Sequence, residues 1–204
     1  MAIANGYATL AQVKAAARII DNIDDALLEM SIETASRMVD GYCERRFFTN
    51  GTETRYYSAD NDYLCNIDDV AGTAIAVVTS SAVDGTYDLT WSASDLQLEP
   101  VNRTASGIAF PVMTLRATGD KSFPKVGLEN AVQVTGVFGF GTAVPTQVTH
   151  ATILLSLRQY KRYDSPTGVL GFAEGIGAVR VGSRLDPDVA MILQPFRRVP
   201  VGLS

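Results

Sequence analysis

Between Leu28 and Tyr42 the apolar positions fall at Leu28, Ile32, Ala35, Val39 and Tyr42, steps of four, three, four and three. That is the period of an amphipathic helix. The pattern predicts a helix from a turn at Asp21–Asp24, capped by Asn22 or Asp24, to about Arg46. At about 22 residues it would be roughly 33 Å long and would need partners along most of its length. Glu33 and Arg37 stand one turn apart on its surface, a mild support. Upstream, Thr9 and Gln12 have the spacing of a capping box ahead of LAQVKAAARII, which predicts a first, shorter helix.

From residue 50 the period changes. TETRYY, AIAVVTS, YDLTWSA, VMTLRA and AVQVTGVFGFG are rich in β-branched and aromatic residues with partial alternation, the pattern of strands. Asp84-Gly85 and Gly119-Asp120 are turn signals between them. The spacing is irregular, which points to a small antiparallel sheet or sandwich.

At Pro145-Thr146 helical spacing returns through Val148, Ala151, Leu154, Leu155 and Leu157 to about Tyr163, and Asp164-Ser165-Pro166 ends it. A glycine-rich stretch follows, with Ala178–Val181 reading as a short strand. Asp186-Pro187-Asp188 is a strong helix start, with Asp at the cap and Pro at the first helical position. Val189, Ile192, Leu193 and Phe196 form the stripe of that last helix, and Pro195 limits it. The fold class expected is α+β, a helical bundle made by both chain ends with an inserted antiparallel β-rich subdomain. The expected boundaries are 1–49 with 146–204 for the bundle and 50–145 for the insertion.

Composition narrows the function. The 204 residues are 47% hydrophobic and 19% charged, with a net charge of -5. That argues for a globular chain and against a free-standing reader of DNA sequence. The charge is uneven. Residues 150–204 carry seven cations against four acids, and the remainder ten against eighteen. Two cysteines, Cys43 and Cys65, and one histidine make neither a disulfide framework nor a zinc site. No secretory signal and no apolar run near the length of a membrane span is present, so a soluble, reduced, cytoplasmic setting is expected.

Enzyme signatures are missing. A hydrolytic triad would have to use His150, and there is no GxSxG elbow. Gly136, Gly139 and Gly141 stand in the wrong order for a dinucleotide loop and read better as a bulged strand end. Asp60, Asp62, Asp68 and Asp69 suggest a cation site, but Leu64 and Cys65 occupy positions where a calcium loop needs an oxygen ligand and a glycine. A solvated acidic loop is the better account, and a cation-dependent binding module stays as the weaker alternative. No cofactor is expected. Arg158, Lys161 and Arg162 beside Tyr160 and Tyr163 could touch phosphate, yet cations also suit a helix C-terminus.

Interfaces remain. The last helix is too short to stand alone and must dock on its own bundle or on another chain. Phe196, Arg197 and Arg198 are a mixture favoured at protein interfaces. Here the residues carry a resemblance. SIETASRMVDGYCERRFF resembles the N-terminal region of phage head-tail connector, or adaptor, proteins. RYDSPTGVLGFAEGIGAVRVGSRLDPDVAMILQPFRRV is similar to the C-terminal half of connectors from phages of actinobacteria.

The resemblance implies a non-enzymatic virion protein of the neck, assembled in the host cytoplasm. It implies a ring, of twelve copies in the family, that docks on the portal protein after DNA packaging. Such a ring lengthens the channel for double-stranded DNA and offers a platform to the next neck, stopper or tail protein. No membrane partner is implied. Another head-completion or tail-joining protein, such as a stopper or tail terminator, is the alternative. The portal-docking candidates are Asp186, Val189, Ile192, Leu193, Phe196, Arg197 and Arg198, and the subunit or channel loop candidates are Gly171, Phe172, Gly175 and Gly177. On this view, removing residues 186–204 should leave a folded protein that fails to join capsids.

Overall fold

The structure is a computed structural model that describes residues 3–81, 86–105, 107–124, 128–164 and 186–198. The Asp84-Gly85 turn, the strand expected at Ala178–Val181 and the loop candidates Gly171, Phe172, Gly175 and Gly177 lie outside the described residues. The chain divides into two compact units, one of residues 1–45 with 144–204 and the other of residues 46–143.

The first unit is helical. Helix α1, Leu10–Ala17, starts with the capping box: the Thr9 hydroxyl accepts from the Gln12 amide, and the Gln12 side chain accepts from the Thr9 amide. It stops at Arg18, which turns left-handed at φ 58°, so the helix does not run on into Ile19 and Ile20 as the sequence suggested. Helix α2, Asp25–Cys43, also ends earlier than expected, at a left-handed Glu44. Asp24 stands at its cap position without capping it. Its carboxylate instead accepts the Tyr160 hydroxyl at 2.6 Å.

Leu28, Ile32, Ala35 and Val39 of α2 are fully buried, and burial of each large aliphatic side chain is worth about 2 kcal/mol. The seam closes at Cys43 rather than at Tyr42, which is half-buried and directs its hydroxyl at the Ala190 carbonyl. Glu33 accepts the backbone amides of Ala4 and Asn5, while Arg37 pairs with Asp40 at 2.9 Å. Helix α3, Thr146–Asp164, packs Val148, Ala151 and Leu155 inward and leaves Leu154 exposed. Thr152 and Ser156 are buried with them; each hydroxyl returns to the carbonyl one turn back, so neither polar group is stranded. No described helix is long and apolar enough to cross a membrane.

The second unit holds seven strands among the described residues: β1 (Thr52–Tyr57), β2 (Leu64–Val70), β3 (Ala76–Thr79), β4 (Leu89–Trp91), β5 (Leu96–Glu99), β6 (Val112–Ala117) and β7 (Val132–Val137). They pair antiparallel in two sheets, ordered β1-β7-β3-β4 and β2-β6-β5. Both sheets contribute to one apolar core: Cys65, Ile67 and Val70 from β2, Val112 and Leu115 from β6, and Val77, Trp91, Val132 and Val134 from the other sheet. The Trp91 indole stacks on Phe123 at 4.6 Å and donates to the Thr79 hydroxyl. Beyond β7, Gly139 holds φ 141°, and a Cβ there would stand 2.4 Å from the Phe48 carbonyl oxygen. Only glycine fits so close an approach.

Candidate docking surfaces

The last helix, α4, spans Pro187–Leu193 and runs into a single 3-10 turn, Gln194–Phe196. Its stripe does not face outward. Val189, Leu193 and Phe196 are 2%, 0% and 1% exposed, and Ile192 is half-buried. These four docking candidates are thus occupied within their own bundle, three of them completely. To solvent α4 shows Met191, 75% exposed, together with Pro187 and Asp188. With Val189, Leu193 and Phe196 interior, removing the segment would uncover the interior of the helical unit.

The charged candidates have local partners too. Asp186 is the residue before α4, but its carboxylate makes no cap bond and pairs with Arg158 of α3 at 2.8 Å. The Arg197 Nε donates to the Tyr42 carbonyl at 3.2 Å, and its guanidinium lies 5.2 Å from the centre of the Tyr42 ring. The Arg198 amide donates to the Cys43 carbonyl at 2.8 Å. Tyr42 and Cys43 are the last residues of α2, whose carbonyls lack helical donors. Arg197 and Arg198 therefore finish the C-terminus of α2, and a cation is electrostatically favoured there. Sequence spacing could not show that capping, since the groups lie about 150 residues apart.

The basic cluster resolves into different settings. Arg158 is bound to Asp186, the Tyr160 hydroxyl is bound to Asp24, and Lys161, Arg162 and Tyr163 are exposed. His150 is also exposed on α3. Cys43 and Cys65 are free thiols, each pushed up to about 12 by burial, which leaves neither as a nucleophile at neutral pH.

The acidic group is not one loop. Asp68 and Asp69 lie within β2, with Asp69 buried. Asp68 accepts Arg55 at 2.8 Å and the Tyr57 hydroxyl at 3.0 Å, and burial, reinforced by the Asp68 charge, holds the Tyr57 phenol well above the ordinary range. Glu53 joins the network by pairing with Arg46 and Arg55; the Arg55 hydrogen bonds hold its carboxyl below the ordinary range. Asp60 accepts the Asn66 amide. Among the described residues no group of three or more histidine, cysteine, aspartate or glutamate side chains is arranged to hold a metal. Asp60 and Asp62 are exposed ahead of β2, as a solvated acidic loop requires, whereas Asp68 and Asp69 belong to the strand, where Asp68 is taken up by Arg55 and Tyr57.

Among the described residues the helical unit is finished by its own C-terminal segment, and no reactive constellation is assembled in either unit. Residues 7–75 match the family model described as phage gp6-like head-tail connector protein. Among solved structures the chain is similar to a subunit in the neck of an empty gene transfer agent (GTA) particle, computed with C6 symmetry, at TM-score 0.57 and 16% identity. The neck of the native particle, computed with C12 symmetry, gives the same TM-score and identity. A subunit of the native particle's virion gives 0.54 and 18%. Each alignment covers 98% of this chain and 94% of the other. At such identities the likeness shows a shared fold over nearly the whole chain. No curated protein sequence matches it. Residues 7–75 thus match the head-tail connector family, and the fold along nearly the whole chain is shared with neck subunits.

Proposed function

We propose that the chain assembles as a closed ring beneath the portal, lengthens the path of the genome, and presents its other rim to the next neck or tail protein. The observation that carries this reading is the match of residues 7–75 to head-tail connectors, joined to a fold that follows neck subunits along 98% of the chain. A twelvefold ring is the stoichiometry favoured by the likeness to a neck computed with C12 symmetry. A subunit with net charge -5 suits a conduit, since a basic lumen would hold DNA by counterion release.

In this reading the segment Asp186–Arg198 has two sides. Val189, Leu193 and Phe196 anchor it in the bundle. Met191, the exposed arm of Arg197, and Arg198 form the side offered to the portal. The test is to supply Met191→Glu together with Arg198→Glu during particle assembly and weigh the tailless fraction. Heads that package DNA but lack this chain and the tail are expected. Infectious particles of normal composition would exclude the docking role, and a map placing the chain at the tail's upper end would favour a tail-joining protein.

A further inference from the structure

Two surface features of the helical unit sit on different elements. The first is the turn between α1 and α2. Ile20 and Ile23 are 96% and 86% exposed, the two most exposed large apolar side chains among the described residues. They are not on a loose loop. The Asp21 carboxylate accepts the Ile23 amide at 3.1 Å, and Lys14 donates to both Asn22 and Asp25 at 2.7 Å. The polar groups of the turn are thus spent on shaping it, while its isoleucines gain nothing from their own chain. Isolated exposed aliphatics are ordinary, but a braced pair at a turn is a preformed knob.

The second feature is the outer face of α2. Its exposed positions include Met30, Thr34, Met38 and Gly41, with spacing near one helical turn. A surface helix normally shows charge there. Here Asp25, Glu33 and Asp40 turn to the flank, where they engage Lys14, the Ala4 and Asn5 amides, and Arg37 with Tyr7. Gln159 of α3 donates to the Met38 sulfur at 3.2 Å, which sets α3 along this face, and Arg162 follows one turn later on the same side of α3. The face combines adaptable methionines with cations, the exposed Arg37 one turn from Thr34 and Gly41 and Arg162 on α3.

We propose that the Ile20–Ile23 turn of one copy seats on the Met30–Met38 face of the next copy, with Asp21 opposite Arg162. The charge signs are complementary, and the pairing of two unlike patches is the heterologous contact that a ring repeats. The proposal rests on the ring reading above and names the surfaces that close it.

The experiment uses the full chain carrying Ile23→Cys and Thr34→Cys, incorporated into particles and treated with a short bis-maleimide. Both positions are exposed, and the native thiols are buried, so background linkage is low. A ladder of dimers, trimers and higher species is expected on a denaturing gel, with neither single variant giving one. Particles that contain the double variant but yield only monomer overturn the contact and leave the connector reading standing. Absence of the wild-type chain from particles overturns both. As a second measurement, Ile23→Asp should keep the thermal midpoint of the subunit and lower its incorporation at least tenfold; undiminished incorporation refutes the knob.

Discussion

At the residue scale, positions that look alike in sequence separate by what surrounds them. Gly51 and Gly139 both hold positive φ, at 86° and 141°. A Cβ at Gly51 meets nothing within 4 Å, whereas one at Gly139 meets backbone at 2.4 Å. Gly51→Ala is therefore expected to cost about 1 kcal/mol through conformation alone, and Gly139→Ala several times that, because backbone must move. Urea titration followed by Trp91 fluorescence would rank them, and equal midpoints would contradict the close approach. The thiols make a second test. Burial raises Cys43 and Cys65 to about 12, so the native protein at pH 7.5 should resist a maleimide that labels both within minutes in denaturant. Rapid labelling of the native chain would contradict their burial.

At the element scale, α2 carries an exposed glycine, Gly41, within its last turns. A Cβ there meets nothing within 4 Å, so the subunit has no steric need for glycine at an exposed helical position. Gly41→Ala should stabilise the subunit by up to about 1 kcal/mol, seen as a higher urea midpoint. A lower midpoint would mean that the backbone at Gly41 is constrained in the subunit.

The same scale shows what could be read in advance. The capping box of α1, the seam of α2 and the Asp-Pro start of α4 were legible because each is written in neighbouring residues. The class, helices from both chain ends with antiparallel strands between them in sequence, followed from the change of period. Strand β2 was not legible. LCNIDDV alternates, with Cys65, Ile67 and Asp69 inward, but one inward residue is an acid and the outward ones are Asn66 and Asp68. Those outward groups are satisfied by Thr114, 48 residues away, and by Arg55 and Tyr57 on the separate strand β1. Strand β5, Leu96–Glu99, is four residues long and too brief for a periodic signal. For the docking candidates, the stripe of α4 was visible as a stripe. Whether it faces a bundle or a partner is decided by α2 and α3, which spacing within α4 cannot report.

At the scale of the whole molecule, the folding role of the last segment can be separated from the docking role proposed for it. Phe196, Leu193 and Val189 belong to the fold, whereas Met191 belongs to the surface. Phe196→Ala leaves a cavity in the helical unit and should cost about 3–5 kcal/mol. For a chain of this size that lowers the helical transition by on the order of 10 °C, read by circular dichroism at 222 nm. Met191→Glu removes no buried atom and should melt like the parent, yet it places a carboxylate where an apolar contact with the portal is proposed. The pair of variants therefore dissociates folding from assembly: one unstable in isolation, the other stable and absent from finished particles. If Phe196→Ala melts at the parental temperature, α4 is not an integral part of the bundle. The segment would then be free to leave it on docking, with its apolar stripe rather than Met191 as the surface the portal receives.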